Sequence, residues 1–224
     1  MLVKYPEFLA VFPTIKALAG ASIKDVLTVW QGLGYNRRAL LVKRAAEAIV
    51  KNHSGKFPRT RESLEALPGI GQSTAGALCA FAFNAGVPFI ETNIRAVYLD
   101  TFFKDTDKIR DADLLPLIAK TIDTKNPREW FYALMDYGVH LKSTLPNPSR
   151  KSAHHSRQSV FKGSNRELRA NILRYILEKP CTEKDIIKHF IMAGKEQNQI
   201  QRNLTALKHE GFISCKRKRF AIAY

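Results

Sequence analysis

Leu67-Pro68-Gly69-Ile70-Gly71-Gln72-Ser73-Thr74-Ala75-Gly76 constrains the fold of this chain more than any other segment. Thr60 can cap a short helix running through Leu64 to Leu67. Pro68 and the two glycines then stop it, and a helix from Thr74 to Phe83 follows. Gly69 and Gly71 permit unusual φ values and a close approach by another backbone. The N–H groups that open the second helix, around Gln72 and Thr74, have no partner within it and point toward any anion. A DNA phosphate fits there without its sequence being read. The same residues also suit an ordinary tight helix–helix turn.

The rest of the first 142 residues reads in helical periods. Ser22 can cap a helix with Ile23, Val26, Leu27 and Trp30 on its apolar side, ended by Gly32-Leu-Gly34. A helix over Arg37 to Lys51 turns Leu40, Leu41, Ala45, Ala48 and Ile49 inward. Further helices are expected near 94–103, 111–122 and 128–142. No alternating strand pattern interrupts them, so this part is expected to be all-α. From 143 to 164 the composition turns polar and basic, with Pro146 and Pro148, and reads as a linker. Adjacent His154 and His155 have no Asp, Glu or Cys nearby, so a basic strap along a nucleic-acid backbone is favoured there over a metal site.

A second periodic region begins at Asn165. Ile172, Leu173, Ile176 and Leu177 line one helix, and Thr182 caps another. A third, over about Lys195 to Glu210, is stopped by Gly211. Two short strands then flank the basic turn Lys216-Arg217-Lys218-Arg219. Three helices and a β-hairpin follow the order of a winged helix. Gln197, Gln199, Gln201, Arg202 and Asn203 carry side chains suited to base edges or phosphates, and the basic turn would be the wing tip. A small protein-binding domain with a solvated turn has the same pattern. The expected division is therefore 1–142, a linker over 143–164, and 165–224.

Thirty-six Lys and Arg against twenty Asp and Glu give a net charge of +16, which suits binding to a phosphate backbone. Residues 142–224 hold +12 of it, eighteen basic against six acidic side chains. No apolar run has the length of a membrane span, so no membrane partner is expected. Cys79, Cys181 and Cys215 lie far apart and form no CxxC pair, so no metal site is expected, and the setting is a reducing, cytoplasmic one.

About twenty residues beyond the hairpin comes Pro88-Phe89-Ile90-Glu91-Thr92-Asn93-Ile94-Arg95, an acid between an apolar run and a helix. Together the two segments resemble the helix-hairpin-helix, Gly-Pro-rich loop and acid signature of the endonuclease III and MutY glycosylase superfamily. Val29-Trp30-Gln31-Gly32-Leu33-Gly34-Tyr35-Asn36-Arg37-Arg38-Ala39, Gly55-Lys56-Phe57-Pro58 and Ala133-Leu134-Met135-Asp136-Tyr137-Gly138 resemble the MutY-type adenine glycosylases. The similarity spans roughly residues 3 to 142. Several segments in the right order are far more specific than one motif.

The resemblance implies a mainly α fold: a helix-hairpin-helix glycosylase domain over 1–142, then a small winged-helix-like α+β domain. It implies base excision from double-stranded DNA by a monomer, at the nucleoid in a prokaryotic cell. Such enzymes flip a base out of the duplex and hydrolyse its N-glycosidic bond, adenine's by analogy. Glu91 stands at the catalytic acid, where most relatives have Asp. Ser73 stands where bifunctional relatives have a Schiff-base Lys, so efficient AP-lyase chemistry is not expected. Asn93 matches a polar residue beside the acid, able to orient Glu91 or to cap its helix. Tyr35 matches a residue that wedges into the base stack, and Arg37 and Arg38 are candidate phosphate contacts. The resemblance departs at three places. The general-acid Glu of MutY-type enzymes lies on a helix upstream of where this chain begins, so the sequence is truncated, another group protonates the base, or the substrate differs. Val139-His140-Leu141-Lys142 stands where the four-cysteine iron–sulfur cluster begins, and no cofactor is expected. The domain that recognises oxidised guanine is replaced by the winged-helix-like region. A catalytically impaired DNA-binding protein, or a winged-helix transcriptional regulator on a glycosylase fold, are the alternative readings.

Overall fold

The computed structural model describes residues 3–223. The chain is mainly α. It resolves into two compact units, Met1–Lys56 with Ser159–Tyr224, and Phe57–Gln158.

The Phe57–Gln158 unit contains α5 (Arg61–Glu65), α6 (Gln72–Phe83), α7 (Thr92–Phe102), α8 (Asp111–Thr121) and α9 (Pro127–Thr144). Its core is Phe89, Ile90, Ile94, Leu99, Leu114, Ile118, Phe131 and Leu134. α7 packs along α9. The approach is set by Gly138, where a Cβ would lie 2.7 Å from the Asn93 carbonyl carbon. Gly76 does the same for α6, where a Cβ would lie 2.9 Å from Phe89 Cγ.

The first part of the stretch expected to be a linker is structured, while 153–163 is exposed and without helix or strand. α9 continues to Thr144, and Pro148–Lys151 forms a 3-10 helix. Pro148, Ser149 and Ser152 are buried. Asn147 accepts from Ser149 N at 3.0 Å, Ser149 Oγ donates to Thr92 O at 3.3 Å, and Ser152 bridges Ile109 in parallel. Polar composition suggested solvation, but Asn147, Ser149 and Lys151 find protein partners instead.

The other unit begins with α1 (Lys4–Val11), α2 (Ile15–Gly20), α3 (Ile23–Trp30) and α4 (Arg37–Asn52). Ser22 and Asp25 form a reciprocal capping box at α3, with Asp25 N on Ser22 Oγ at 3.1 Å. The chain re-enters this unit with α10 (Asn165–Glu178), β1 (Cys181–Thr182), α11 (Glu183–Met192), α12 (Gln197–His209), β2 (Ile213–Lys216) and β3 (Arg219–Ile222). The antiparallel sheet has the order β1-β3-β2, and Lys216 pairs with Arg219 to close the hairpin. This is the winged-helix arrangement, with β1 as a two-residue strand that the sequence pattern did not disclose.

One hydrophobic cluster joins Phe12, Leu18, Val26, Leu27, Leu40 and Ala46 to Leu168, Ile172, Leu173, Leu204, Leu207 and Phe212. The winged-helix elements therefore share a core with the first 56 residues, whereas the sequence suggested a break at 142–165. Residues 1, 2 and 224 of the expected domains lie outside the described residues. No described helix is long and apolar enough to cross a membrane.

Candidate active site

Thr60 Oγ1 accepts from Ser63 N at 3.3 Å and starts α5. The chain turns at Gly69, whose φ of +80° lies in the left-handed region that glycine adopts without cost. Gly71 is the N-cap of α6 with φ −97°, a conformation open to any residue. A Cβ there would meet nothing within 4 Å, so the close approach expected at Gly71 occurs at Gly76 instead. Having no side chain, Gly71 leaves the first-turn N–H groups of α6 uncapped. Gln72, Ser73 and Thr74 are exposed there, an arrangement that can receive an anion.

Ser73 joins this hairpin to the acid. Its Oγ donates to Ile90 O at 2.7 Å, one residue before Glu91. Glu91 is the N-cap of α7, with Oε2 accepting from Asn93 N at 2.7 Å and its carbonyl accepting from Arg95 N at 2.8 Å. The capping role is thus real. The side chain folds back onto the first turn of its own helix. The residue stays half-buried.

Asn93 contacts Glu91 through its backbone N–H, while its side chain faces elsewhere: Lys142 Nζ donates to Asn93 Oδ1 at 2.8 Å. Lys142 is partly buried on α9, one turn beyond Gly138. Burial pushes its amine below the usual lysine range, the Glu91 charge pulls it up, and the Arg95 charge lowers it again. Arg95 is held by Asp111 in a two-point pair at 2.9 and 2.7 Å. Lys142, Arg95 and Asp111 were not singled out as site residues in the sequence. The available signal was Lys142 itself, a basic residue one helical turn after a glycine that faces α7.

The other predicted residues lie in the other unit. Trp30 Nε1 donates to Gly34 O at 2.9 Å and pins the turn before α4. Gly32, Gly34 and Tyr35 all have positive φ, and at Tyr35 the value is +49°. A bulky side chain in that region is strained, and Tyr35 is nevertheless 58% exposed. Arg37 and Arg38 open α4, where the helix dipole disfavours positive charge unless an anion is close. At the wing tip Arg217 and Lys218 have φ of +49° and +62°, positions of a two-residue turn that glycine or asparagine usually fills. All of Lys216, Arg217, Lys218 and Arg219 are exposed. On α12 the structure departs from expectation. Asn203 is buried and donates to Asn165 Oδ1 at 2.7 Å, and Gln201 donates to Glu183. Of the expected residues Gln197 and Arg202 are exposed, beside Asn198, Thr205, Lys208 and His209.

The thiols do not fit a four-cysteine iron–sulfur cluster. Cys79 is buried in α6 with Sγ on Arg59 O at 3.9 Å. Cys181 and Cys215 flank Phe220 from the two neighbouring strands, roughly 9–10 Å apart across two strand spacings. Burial pushes the Cys79 and Cys181 thiols up, away from the thiolate a cluster needs. Among the described residues no group of three or more His, Cys, Asp or Glu could hold a metal ion.

Residues 52–81 match the helix-hairpin-helix motif family. The chain is 31% identical over 140 residues to an adenine DNA glycosylase of Buchnera aphidicola subsp. Acyrthosiphon pisum (strain APS), covering 61% of this chain and 40% of that one. It is 40% identical over 97 residues to an adenine DNA glycosylase of Mycobacterium tuberculosis (strain CDC 1551 / Oshkosh), covering 43% of this chain and 32% of that one. The chain thus spans two fifths or less of these relatives' length. The fold is similar to that of a thermostable thymine-DNA glycosylase, with a TM-score of 0.53 at 20% identity, over 60% of this chain and 64% of that one.

Proposed function

The chain belongs to the helix-hairpin-helix DNA glycosylase superfamily on its MutY-like side, and we propose from that premise that it is a monofunctional base-excision glycosylase acting as a monomer on duplex DNA. The observation that carries this reading is the coupling of hairpin and acid. Ser73 ties the uncapped start of α6 to the residue before Glu91. A phosphate received at the hairpin fixes the register of the DNA backbone relative to the carboxylate.

When the glycosidic bond to the flipped base breaks, the sugar gains positive charge. A fixed carboxylate stabilises that charge more than it stabilises the neutral ground state. Asn93 N–H and Glu91's own helix hold the carboxylate, so little reorganisation accompanies the reaction. Water then adds to the sugar and leaves an abasic site. Ser73 has no amine, so no imine forms at this position and the strand stays intact. Adenine is the base proposed, from the relatives' names. No iron–sulfur cluster takes part in this reading, since the three thiols do not fit one.

The test is a panel of labelled duplexes, each with one mispaired or damaged base, incubated with the protein and then with alkali. Breaks are expected only after alkali. Glu91→Gln keeps the shape and loses the charge, so base release should fall by at least about 10²–10³-fold while duplex affinity holds. Equal turnover by parent and variant removes Glu91 from the chemistry. A borohydride-trapped adduct of the parent overturns the monofunctional assignment.

A further inference from the structure

The unit formed by residues 1–56 and 159–224 has a half-open cavity of about 840 Å³, within the size range of small-ligand sites. One wall is the pinned turn from Gln31 to Arg38, the other is α10. Leu27, Leu41, Leu173, Leu177, Leu207 and Phe212 make an apolar floor. Ser73, Glu91 and Asn93 contribute nothing to it.

The lining combines unpaired charge with exposed rings. Arg169 is neutralised by Glu210 at 2.8 Å. Arg37, Arg38, Arg166 and Arg174 also line the cavity, and among the described residues none has a carboxylate partner. Tyr35 is held exposed by a strained backbone, and Phe161 is 54% exposed with the Arg166 guanidinium 6.0 Å from its ring centre. Apolar floor, planar guanidinium groups and exposed aromatic rings together suit a flat ring system that carries negative charge.

We infer that this cavity binds one unpaired nucleotide of a DNA strand, its base against the apolar floor and aromatic side chains and its phosphates at the arginine rim. The inference rests on the DNA-binding part of the proposed function, and it adds a second nucleotide site outside the unit that holds Glu91. The host unit has twenty-three Lys and Arg against nine Asp and Glu, a net +14, so the field around the cavity favours the polyanion.

The test compares a fully paired duplex with the same duplex carrying a single unpaired 2-aminopurine, using full-length Glu91→Gln protein so that no base is released. The bulged duplex should bind about tenfold tighter, the scale of one stacked base, and the 2-aminopurine emission should change on binding. Ala170→Trp fills the cavity from α10, and Arg174→Glu reverses one rim charge from an exposed position. Each should remove the preference and leave paired-duplex affinity within about twofold for the first and modestly lower for the second. Equal affinity for the two duplexes, or a preference that both variants retain, overturns the inference. So does binding of anionic phospholipid vesicles that Ala170→Trp abolishes while the bulge preference stays. Base release by the parent is read separately on the lesion panel. Release without bulge preference removes only the cavity, and bulge preference without release removes only the glycosylase.

Discussion

Gly138 shows how one missing side chain positions a site. Because α9 carries no Cβ there, its backbone lies against Asn93, and Lys142 one turn later reaches Asn93 Oδ1. Gly138→Ala should cost about 1–3 kcal/mol by overpacking, measured by chemical denaturation, and should lower base release more than duplex affinity. Lys142→Met tests the positioning role. Base release should fall by up to about 100-fold if Asn93 and Glu91 shift by ~1 Å, with affinity for duplex unchanged. The amine also makes a pH signature. Its folded value is depressed, so the unfolded chain binds more protons between that value and the ordinary lysine range. Stability of the parent relative to Lys142→Met should therefore rise with pH across that alkaline window and be flat below it. A difference flat at every pH would mean the amine is solvated. Glu91 was legible in the sequence because its signal is local, an acid between an apolar run and a helix. Lys142 was not, because its partner is 49 residues away and a lone lysine on an amphipathic helix reads as a solvent-facing residue.

Among elements, the helix starts were the most legible features. Ser22, Thr60 and Thr182 each accept from the backbone three residues on, an arrangement written within four letters of sequence. At α11 Thr182 and Asp185 bond reciprocally, with Asp185 N on Thr182 Oγ1 at 3.2 Å and Thr182 N on Asp185 Oδ2 at 2.9 Å. Thr182→Ala should cost about 1 kcal/mol and lower Tm by a few degrees at neutral pH. The Thr182 hydroxyl, then its backbone N–H, hold the Asp185 carboxyl below the usual carboxylate range. A depressed carboxyl contributes stability above its unfolded value and loses it as pH falls through its folded value. The Tm gap between parent and Thr182→Ala should accordingly narrow in acid, and a gap independent of pH would mean that Asp185 plays no part. β1 escaped notice because two residues have no alternation to detect. The 3-10 helix at Pro148 escaped because its polar side chains are satisfied by distant backbone groups.

At the scale of the whole chain, charge follows the compact units more closely than it follows sequence order. The Phe57–Gln158 unit has thirteen basic and eleven acidic residues, a net +2, against +14 for the other. Glu91 thus lies in the nearly neutral unit, and most non-specific affinity is expected from its neighbour. Replacing Lys216, Arg217, Lys218 and Arg219 with neutral residues should reduce the slope of log affinity against log salt by up to about 4 units, at roughly 0.9 per phosphate contact. An unchanged slope would turn attention to the Asn198–Arg202–His209 face of α12 as a protein-binding surface. The joining of residues 1–56 to 159–224 was the least legible feature, since their shared core depends on side chains more than 100 positions apart. It also sets an order of events during synthesis. The unit with Glu91 is contiguous and can fold as it leaves the ribosome. Phe12, Val26 and Leu40 instead wait through the 102 residues of 57–158 for partners within 159–224, and at about 5–20 residues per second that intervening stretch alone takes roughly 5–20 s. Through that interval the 1–56 segment exposes an apolar surface to chaperones and proteases, until the elements of 159–224 cover it.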